Sequence, residues 1–427
     1  MPITNKFEAG LDEVDIIIAG GGTAGCIVAS RVAAADPSLS ILVIESGPNN
    51  HNREDVINPS LCLDHFAPDA STAKTYLGKK SSAVANRNVP VATGAVLGGG
   101  SSINILQYIR GSRRDFDSWN TPGWSTNELL LYLKRIETYH GRGKKDVHGS
   151  SGPVQVSRGG YFNAKTEDDF VQACERLGFP EYPDMQDLES CNGVERVSRT
   201  IAPDGRRQDT AHTYLHPLLA DGKHPNLYVL CEHKVKRVLV ENSKRTTGVE
   251  IKTGFVVASG AFGTPAVLER SGIGAKDILD KAGVAQVVDL PGVGWGYQDH
   301  SMAIIPYRTD LTDGDTLTYL AIRPEIRQKA LADQNPILGW NACDASLKVR
   351  PTEAEVDALG PAFREAWDRD FRDVPNRPMM LMTFVSATLD PRAWADGGEF
   401  VSITTYPCYP WARGQVHITG SNAEDEG

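Results

Sequence analysis

The chain has 427 residues, more than one hydrophobic core supports, so at least two domains are expected. Its 41% hydrophobic and 23% charged residues are those of an ordinary globular protein, and a net charge of -10 with no dense basic cluster argues against nucleic acid as a partner. No apolar run approaches the roughly 18 residues that span a bilayer, "MPITNKFEAGLDEVD" lacks the apolar stretch of a secretory leader, and the seven cysteines show neither a CxxC pair nor metal-ligand spacing, so neither a membrane nor a metal site is expected.

In chain order, residues 14–19 are a β-branched run of strand length, "GGGTAG" follows at 20–25, and small and apolar residues continue from 23 to 35 until Asp36-Pro37. That predicts strand, tight turn and helix. Read as G-x-G-x-x-G, Gly20 serves the turn, Gly22 lets backbone approach a pyrophosphate, and Gly25 lets helix pack on strand, with the helix N-terminus facing the anion. Residues 39–44 predict a second buried strand ending on Glu45, 20 residues beyond Gly25. An acid at that spacing suits a free ribose hydroxyl pair and disfavours a 2′-phosphate, so NADP is not expected.

A polar stretch at 47–60, "GPNNHNREDVINPS", is too long for a simple connection and is expected to cover something. At 94–111, "GAVLGGGSSINILQYIRG" offers a backbone that can lie flat against a planar ligand, with N–H and O–H donors beside it. A helix is predicted over 125–139 from the Ser125/Glu128 capping box, with Leu129, Leu133 and Ile136 on one face, and another over 166–177, stopped by Gly178. Residues 227–230, 235–240 and 255–258 read as strands. In "GAFGTPAVLERSGIG" at 260–274, Thr264-Pro265 opens a short helix that Gly272 and Gly274 close. A third helix starts at the Thr352/Glu355 capping box and carries Phe363 and Trp367, and "EFVSITTYPCYP" and "GQVHIT" read as β-rich. The order is mixed α/β.

The two glycine motifs at 94–111 and 260–274 resemble the signatures of the glucose-methanol-choline (GMC) family of flavin oxidoreductases, and they follow a βαβ unit as they do there. The first agrees at Gly94, Gly98, Gly99, Ser101, Asn104, Tyr108, Gly111 and Asp117 and departs at Ala95, where a basic or amide residue is usual. The second agrees at Gly260, Ala261, Thr264, Pro265, Val267, Leu268, Ser271, Gly272, Ile273 and Gly274, and "HGSSGPVQVS" and "LPGVGWGYQDH" add to the likeness. Within the family, "LGGGSSIN", "KRIETYHGRG", "LKVRPTEAEVDAL" and "YPWARGQVHIT" look most like fungal alcohol oxidases.

The resemblance implies an α/β fold: a Rossmann-like FAD-binding domain over 10–160 and 190–300, and an α+β substrate domain with an antiparallel sheet over 161–189 and 301–427. It implies FAD as cofactor, and oxidation of short primary alcohols such as methanol or ethanol to aldehydes while O₂ becomes H₂O₂. An aryl-alcohol, choline or formate-type enzyme of the same family, or a non-catalytic flavin-binding remnant, are the rival readings. Carried over residue by residue, Gly20, Gly22, Thr23, Ala24 and Gly25 lie at the pyrophosphate and Glu45 at the adenosine ribose. Gly100, Ser101 and Asn104 follow the pyrophosphate and isoalloxazine, Ile105 lies near the alcohol, and Val235 offers backbone to adenine, although read alone it is an ordinary strand valine. The resemblance also implies a homo-oligomer in the peroxisome, whereas the terminal "DEG" is no peroxisomal address and leaves the cytoplasm open.

Alcohol oxidation needs a base near the hydroxyl. In the family this is a histidine paired with asparagine or histidine beyond the "RGQVHIT" strand, past residue 427, so no catalytic residue is assigned in this chain. His300, in "QDH", is the best-placed substitute among the ten histidines but is read as structural; His148 and His417 belong to framework motifs, and His212 and His216 flank "TYL" in a polar loop. "GVEIKTGFVVASG" joins directly what the family separates by a further strand and loop, beside the adenine site.

Overall fold

The structure is a computed structural model and describes residues 3–6, 13–143, 145–241, 245–246, 254–312, 314–388, 390 and 398–423. Its first sheet has five parallel strands in the order Ile3–Thr4, Leu227–Leu230, Ile41–Ile44, Ile16–Ala19 and Gly254–Val257. "IIIA" and "ILVI" are unbroken apolar runs because both faces of this sheet are covered. Cys26, Ala29 and Ala33 of helix Thr23–Ala35 pack with Ile18, Ile41 and Val43 on one face, and Ile17, Leu42 and Leu230 form the core of the other. The small helix residues let the backbones approach closely.

The second sheet is antiparallel, in the order Ala303–Arg308, Phe400–Pro407, Met380–Val385, Cys343–Val349 and Gly193–Arg196. The 190–300 segment thus gives its first strand to this sheet. Helix Ala164–Arg176 covers it, Val171 and Cys174 packing on Val194, Ala345 and Leu347. A fully buried ion pair, Arg199 with Asp344, joins this sheet to the segment before it; Arg199 also donates to the carbonyls of Cys343 (3.0 Å), Arg158 (2.7 Å) and Tyr161 (3.1 Å), and Trp340 Nε1 donates to Asp344 (2.9 Å). Every charge here is hydrogen-bonded, as burial requires.

Helix Ala164–Arg176 forms close to its predicted place, and the helix expected over 125–139 starts at the Ser125/Glu128 capping box but ends at Ile136, where Glu137–Tyr139 turns to strand. Four further expectations need correction. The helix at Thr352 splits into Glu353–Ala358 and Pro361–Asp370, because Gly360 adopts φ +91° and Pro361 disfavours a helical residue before it. The helix expected to open at Thr264 starts at Gly260 and runs to Arg270 with Pro265 inside it, Ser259 Oγ tying its start to the Ala19 carbonyl at 2.9 Å. Of the strand over 235–240 only Val240–Glu241 forms; Val238 N–H donates to Ser271 Oγ (2.7 Å) instead of to a ladder. His212 and His216 lie not in a loop but on a single π turn, Ala211–Leu215, and on the helix His216–Ala220 that continues it. Residues 248–253 of the shortened connection lie outside the described residues. Among the described residues no helix is long and apolar enough to cross a membrane.

His148 is a framework residue. Its Nδ1 meets Glu137 Oε1 at 2.8 Å and its Nε2 meets Asp184 Oδ2 at 3.1 Å, with the ring stacked on Tyr139 at 3.7 Å.

Candidate cofactor cleft

The chain leaves Ile16–Ala19 toward Ile41–Ile44 on one side, and Gly254–Val257 returns on the other, so the loops part at the carboxyl end of the first strand, where open α/β sheets bind ligands. Glycine is obligatory here. Gly20 has φ +106°, and a Cβ on it would sit 2.5 Å from the Ala258 carbonyl; a Cβ on Gly25 would sit 2.0 Å from the Gly20 carbonyl. Gly99, at φ +55°, presses on Gly22 so closely that its Cβ would meet Gly22 Cα at 2.7 Å. The two glycine loops therefore touch backbone to backbone. Gly22 differs: a Cβ there would find nothing nearer than Gly99 Cα at 3.8 Å, leaving a slot before the N-terminus of the 13-residue helix.

Thr23 and Ser101 lock the loops together. Thr23 Oγ1 donates to the Gly98 carbonyl (3.3 Å) and accepts from Ser101 N–H (3.2 Å), and Ser101 Oγ donates to the same carbonyl (2.6 Å) while accepting from Thr210 N–H (3.1 Å). Glu45 is buried; Oε2 accepts from Gly21 N–H (2.8 Å) and Oε1 from Gly47 N–H (2.8 Å) and Ser46 Oγ (3.2 Å). Burial pushes its carboxyl up, outweighing those donors. Oε2, which accepts one hydrogen bond, retains accepting capacity for a hydroxyl.

These groups open on one cavity of about 1570 Å³, larger than the about 300–1,000 Å³ of an ordinary small-molecule site. Gly20, Gly22, Thr23, Ala24, Glu45, Gly100, Asn104 and Val235 line it; Gly25 and Ser101 stand behind the wall and shape it. Phosphate-approach glycines at one part of the wall and a hydroxyl-accepting carboxylate at another fit an extended dinucleotide. His300 is not on the wall and turns its Nδ1 to the Pro407 carbonyl at 2.6 Å. Ile105 is not on the wall either and packs with Cys62, Leu106 and Ile201. His417 does line the cavity, its Nδ1 2.6 Å from Glu269 Oε1.

Two contributors were invisible in the sequence. Hairpin Ala73–Leu77/Pro90–Gly94 brings Tyr76 to the wall, stacked on Phe262 at 4.5 Å, with Lys74 Nζ 4.7 Å from the Tyr76 ring. Its long connection carries no short-turn signature. Arg207, wholly buried, donates to Asn104 Oδ1 (2.9 Å) and the Ser101 carbonyl (3.1 Å), and burial lowers its pKa to about 10. No motif marks it, because its partners lie about a hundred residues away.

The family profile described as GMC oxidoreductase matches residues 14–302. Alcohol oxidase of Candida boidinii is 35% identical over 96% of this chain and 65% of its own length, and alcohol oxidase of Pichia angusta 36% over 97% and 66%. The chain thus spans just under two thirds of the length of these relatives. A solved FAD-dependent oxidoreductase from Chaetomium thermophilum superposes with a TM-score of 0.77 at 26% identity, covering 96% of this chain and 76% of that one. Family profile, relatives and fold agree, and the chain belongs to the GMC oxidoreductase family.

Proposed function

We propose that this chain belongs to an FAD-dependent alcohol oxidase of that family, which takes short primary alcohols to aldehydes with O₂ as electron acceptor, no residue among those described being assigned as the base that takes the hydroxyl proton. The observation that carries the reading is the single cavity joining the Gly22 slot and Glu45 to Asn104, in a chain about 35% identical to alcohol oxidases. Gly20, Gly22, Thr23, Ala24 and Gly25 form the pyrophosphate seat, and the unpaired N–H groups of the first helical turn face the anion. Glu45 accepts from the adenosine ribose hydroxyls, Val235 presents backbone to adenine, and Gly100, Ser101 and Asn104 follow the pyrophosphate toward the isoalloxazine. FAD, held by these residues, would supply the hydride acceptor and the two-electron link to O₂. Arg207 holds the Asn104 amide in place by donating to its Oδ1. The division into a FAD domain (10–160 and 190–300, less the strand Gly193–Arg196 that joins the antiparallel sheet) and a substrate domain (161–189 and 301–427), a homo-oligomeric assembly and a peroxisomal location go with this reading.

Peroxide release by the FAD-loaded chain tests it, with methanol, ethanol, benzyl alcohol, choline and formate compared. Methanol or ethanol is expected to exceed the others by at least about tenfold in kcat/KM, the discrimination that pocket size alone gives. Preference for choline, formate or the aromatic alcohol would overturn the substrate, and absence of peroxide with all five would leave a flavin binder.

A further inference from the structure

Outside the cleft wall, three histidines from two distant segments meet. His51 comes from the polar stretch at 47–60, and His212 and His216 from the π turn Ala211–Leu215 and the helix that continues it. One ring nitrogen of each lies within 4.8 Å of one from each of the others, and the ring centroids are 4.7, 5.0 and 6.0 Å apart. Tetrahedral ligation with metal–nitrogen bonds of roughly 2.0–2.1 Å puts imidazole centroids about 5 Å apart. The rings already stand near that spacing. The wide π turn sets this up; such turns inside helices recur at functional sites.

The remaining nitrogens are held by the groups that accompany metal-bound imidazoles. His212 Nδ1 lies 2.6 Å from Oδ2 of Asp209, a buried carboxylate whose Oδ1 accepts from the N–H groups of Ala211 (2.9 Å) and His212 (3.0 Å) and from Asn50 Nδ2 (3.0 Å). His216 Nε2 donates to Asn50 Oδ1 at 2.8 Å. These bonds leave Nε2 of His212 and Nδ1 of His216 with their lone pairs. Among the described residues, an Asn52 N–H lies 3.4 Å from His212 Nε2, and the Asn52 side-chain amide lies 3.1 Å from His51 Nε2. His51 is exposed, so one side of the cluster opens to water.

We infer that His51, His212 and His216 bind one divalent transition ion of the zinc class, with a coordination position left open to solvent. The ion ties the 47–60 segment to the 211–220 helix. It also braces the second glycine loop, since Asn50 Nδ2 donates to Ser102 Oγ (3.0 Å) and Thr210 N–H to Ser101 Oγ. The inference does not depend on the substrate or on bound flavin.

The test uses the whole 427-residue chain, stripped of metal and titrated with Zn²⁺ by calorimetry and with Co²⁺ by visible absorption. One equivalent is expected for each ion, with the d–d bands of nitrogen-ligated tetrahedral Co²⁺. His51→Ala, at an exposed position and with circular dichroism as the folding control, is expected to weaken Zn²⁺ at least about tenfold and to abolish the Co²⁺ bands; His212→Ala should do the same. Failure of either ion to bind, or a His51→Ala variant that keeps both affinity and bands, would overturn the site.

Discussion

Gly22→Val is expected to yield a folded chain that holds no FAD. Gly22 has φ −78°, open to any residue, and its Cβ direction meets nothing closer than 3.8 Å, so the substitution costs the fold little. The two γ-methyls instead fill the slot at the helix N-terminus, where the pyrophosphate must approach the backbone. Losing two or three charge-assisted hydrogen bonds of about 1.5–3 kcal/mol each corresponds to at least about 10²-fold in affinity. FAD titration reads the loss, with circular dichroism as the folding control. The neighbouring glycines behave oppositely: Gly25→Ala and Gly99→Ala should fail to fold, because their added carbons fall 2.0 Å from the Gly20 carbonyl and 2.7 Å from Gly22 Cα. A Gly22→Val protein that purifies yellow at full stoichiometry would move the phosphate elsewhere.

Glu137→Gln is expected to destabilise the fold by about 3–5 kcal/mol, the cost of leaving buried charge without its partner. Glu137 is wholly buried; Oε1 accepts from Arg110 Nη2 (2.6 Å), His148 Nδ1 (2.8 Å) and Gly149 N–H (2.9 Å), and Oε2 from the Tyr108 hydroxyl. Burial alone would raise its carboxyl, but His148 and Arg110 hold it below the ordinary 4.5, and hydrogen bonding from His148 and the Gln186 N–H likewise outweighs burial to hold Asp184 below 3.8. Lowered carboxylates contribute stability that is present above their ordinary pKa and lost as pH falls through the lowered one. His148 works in the other sense: burial opposes its charge, Asp184 and Glu137 outweigh that, and its contribution is full below pH 6.5 and lost as pH rises through its raised pKa. In Glu137→Gln the urea midpoint should fall at neutral pH, and the acid limb of stability against pH should flatten. An unchanged midpoint would remove this cluster from the framework.

What could be read from the sequence and what could not divide by the range of the interactions. The strand, turn and helix around Gly20–Gly25, Glu45 at the end of the second strand, and the Ser125/Glu128 cap are set by neighbours within a few residues, and they stand where the sequence puts them. The helix at Thr352 looks longer in the sequence than it is because its period continues smoothly across Gly360-Pro361, and the backbone break outweighs the apolar spacing. Residues 235–240 alternate like a strand, yet their backbone finds Ser271 rather than a neighbouring strand. Arg207 and the Tyr76–Phe262 pair shape the cleft through contacts between distant segments, and no local pattern carries that. The histidine cluster was hidden for the same reason: its first member lies about 160 residues from the other two.

The account rests on the cleft gripping the adenosine half of the cofactor through the glycine turn and Glu45, and the most direct measurement is competitive titration of the flavin-free chain with FAD and FMN. FAD is expected to bind at one per chain and at least about 10² more tightly than FMN, which lacks the ribose and the bridging phosphate that those groups would hold. Equal affinities, or no binding of either, would contradict it.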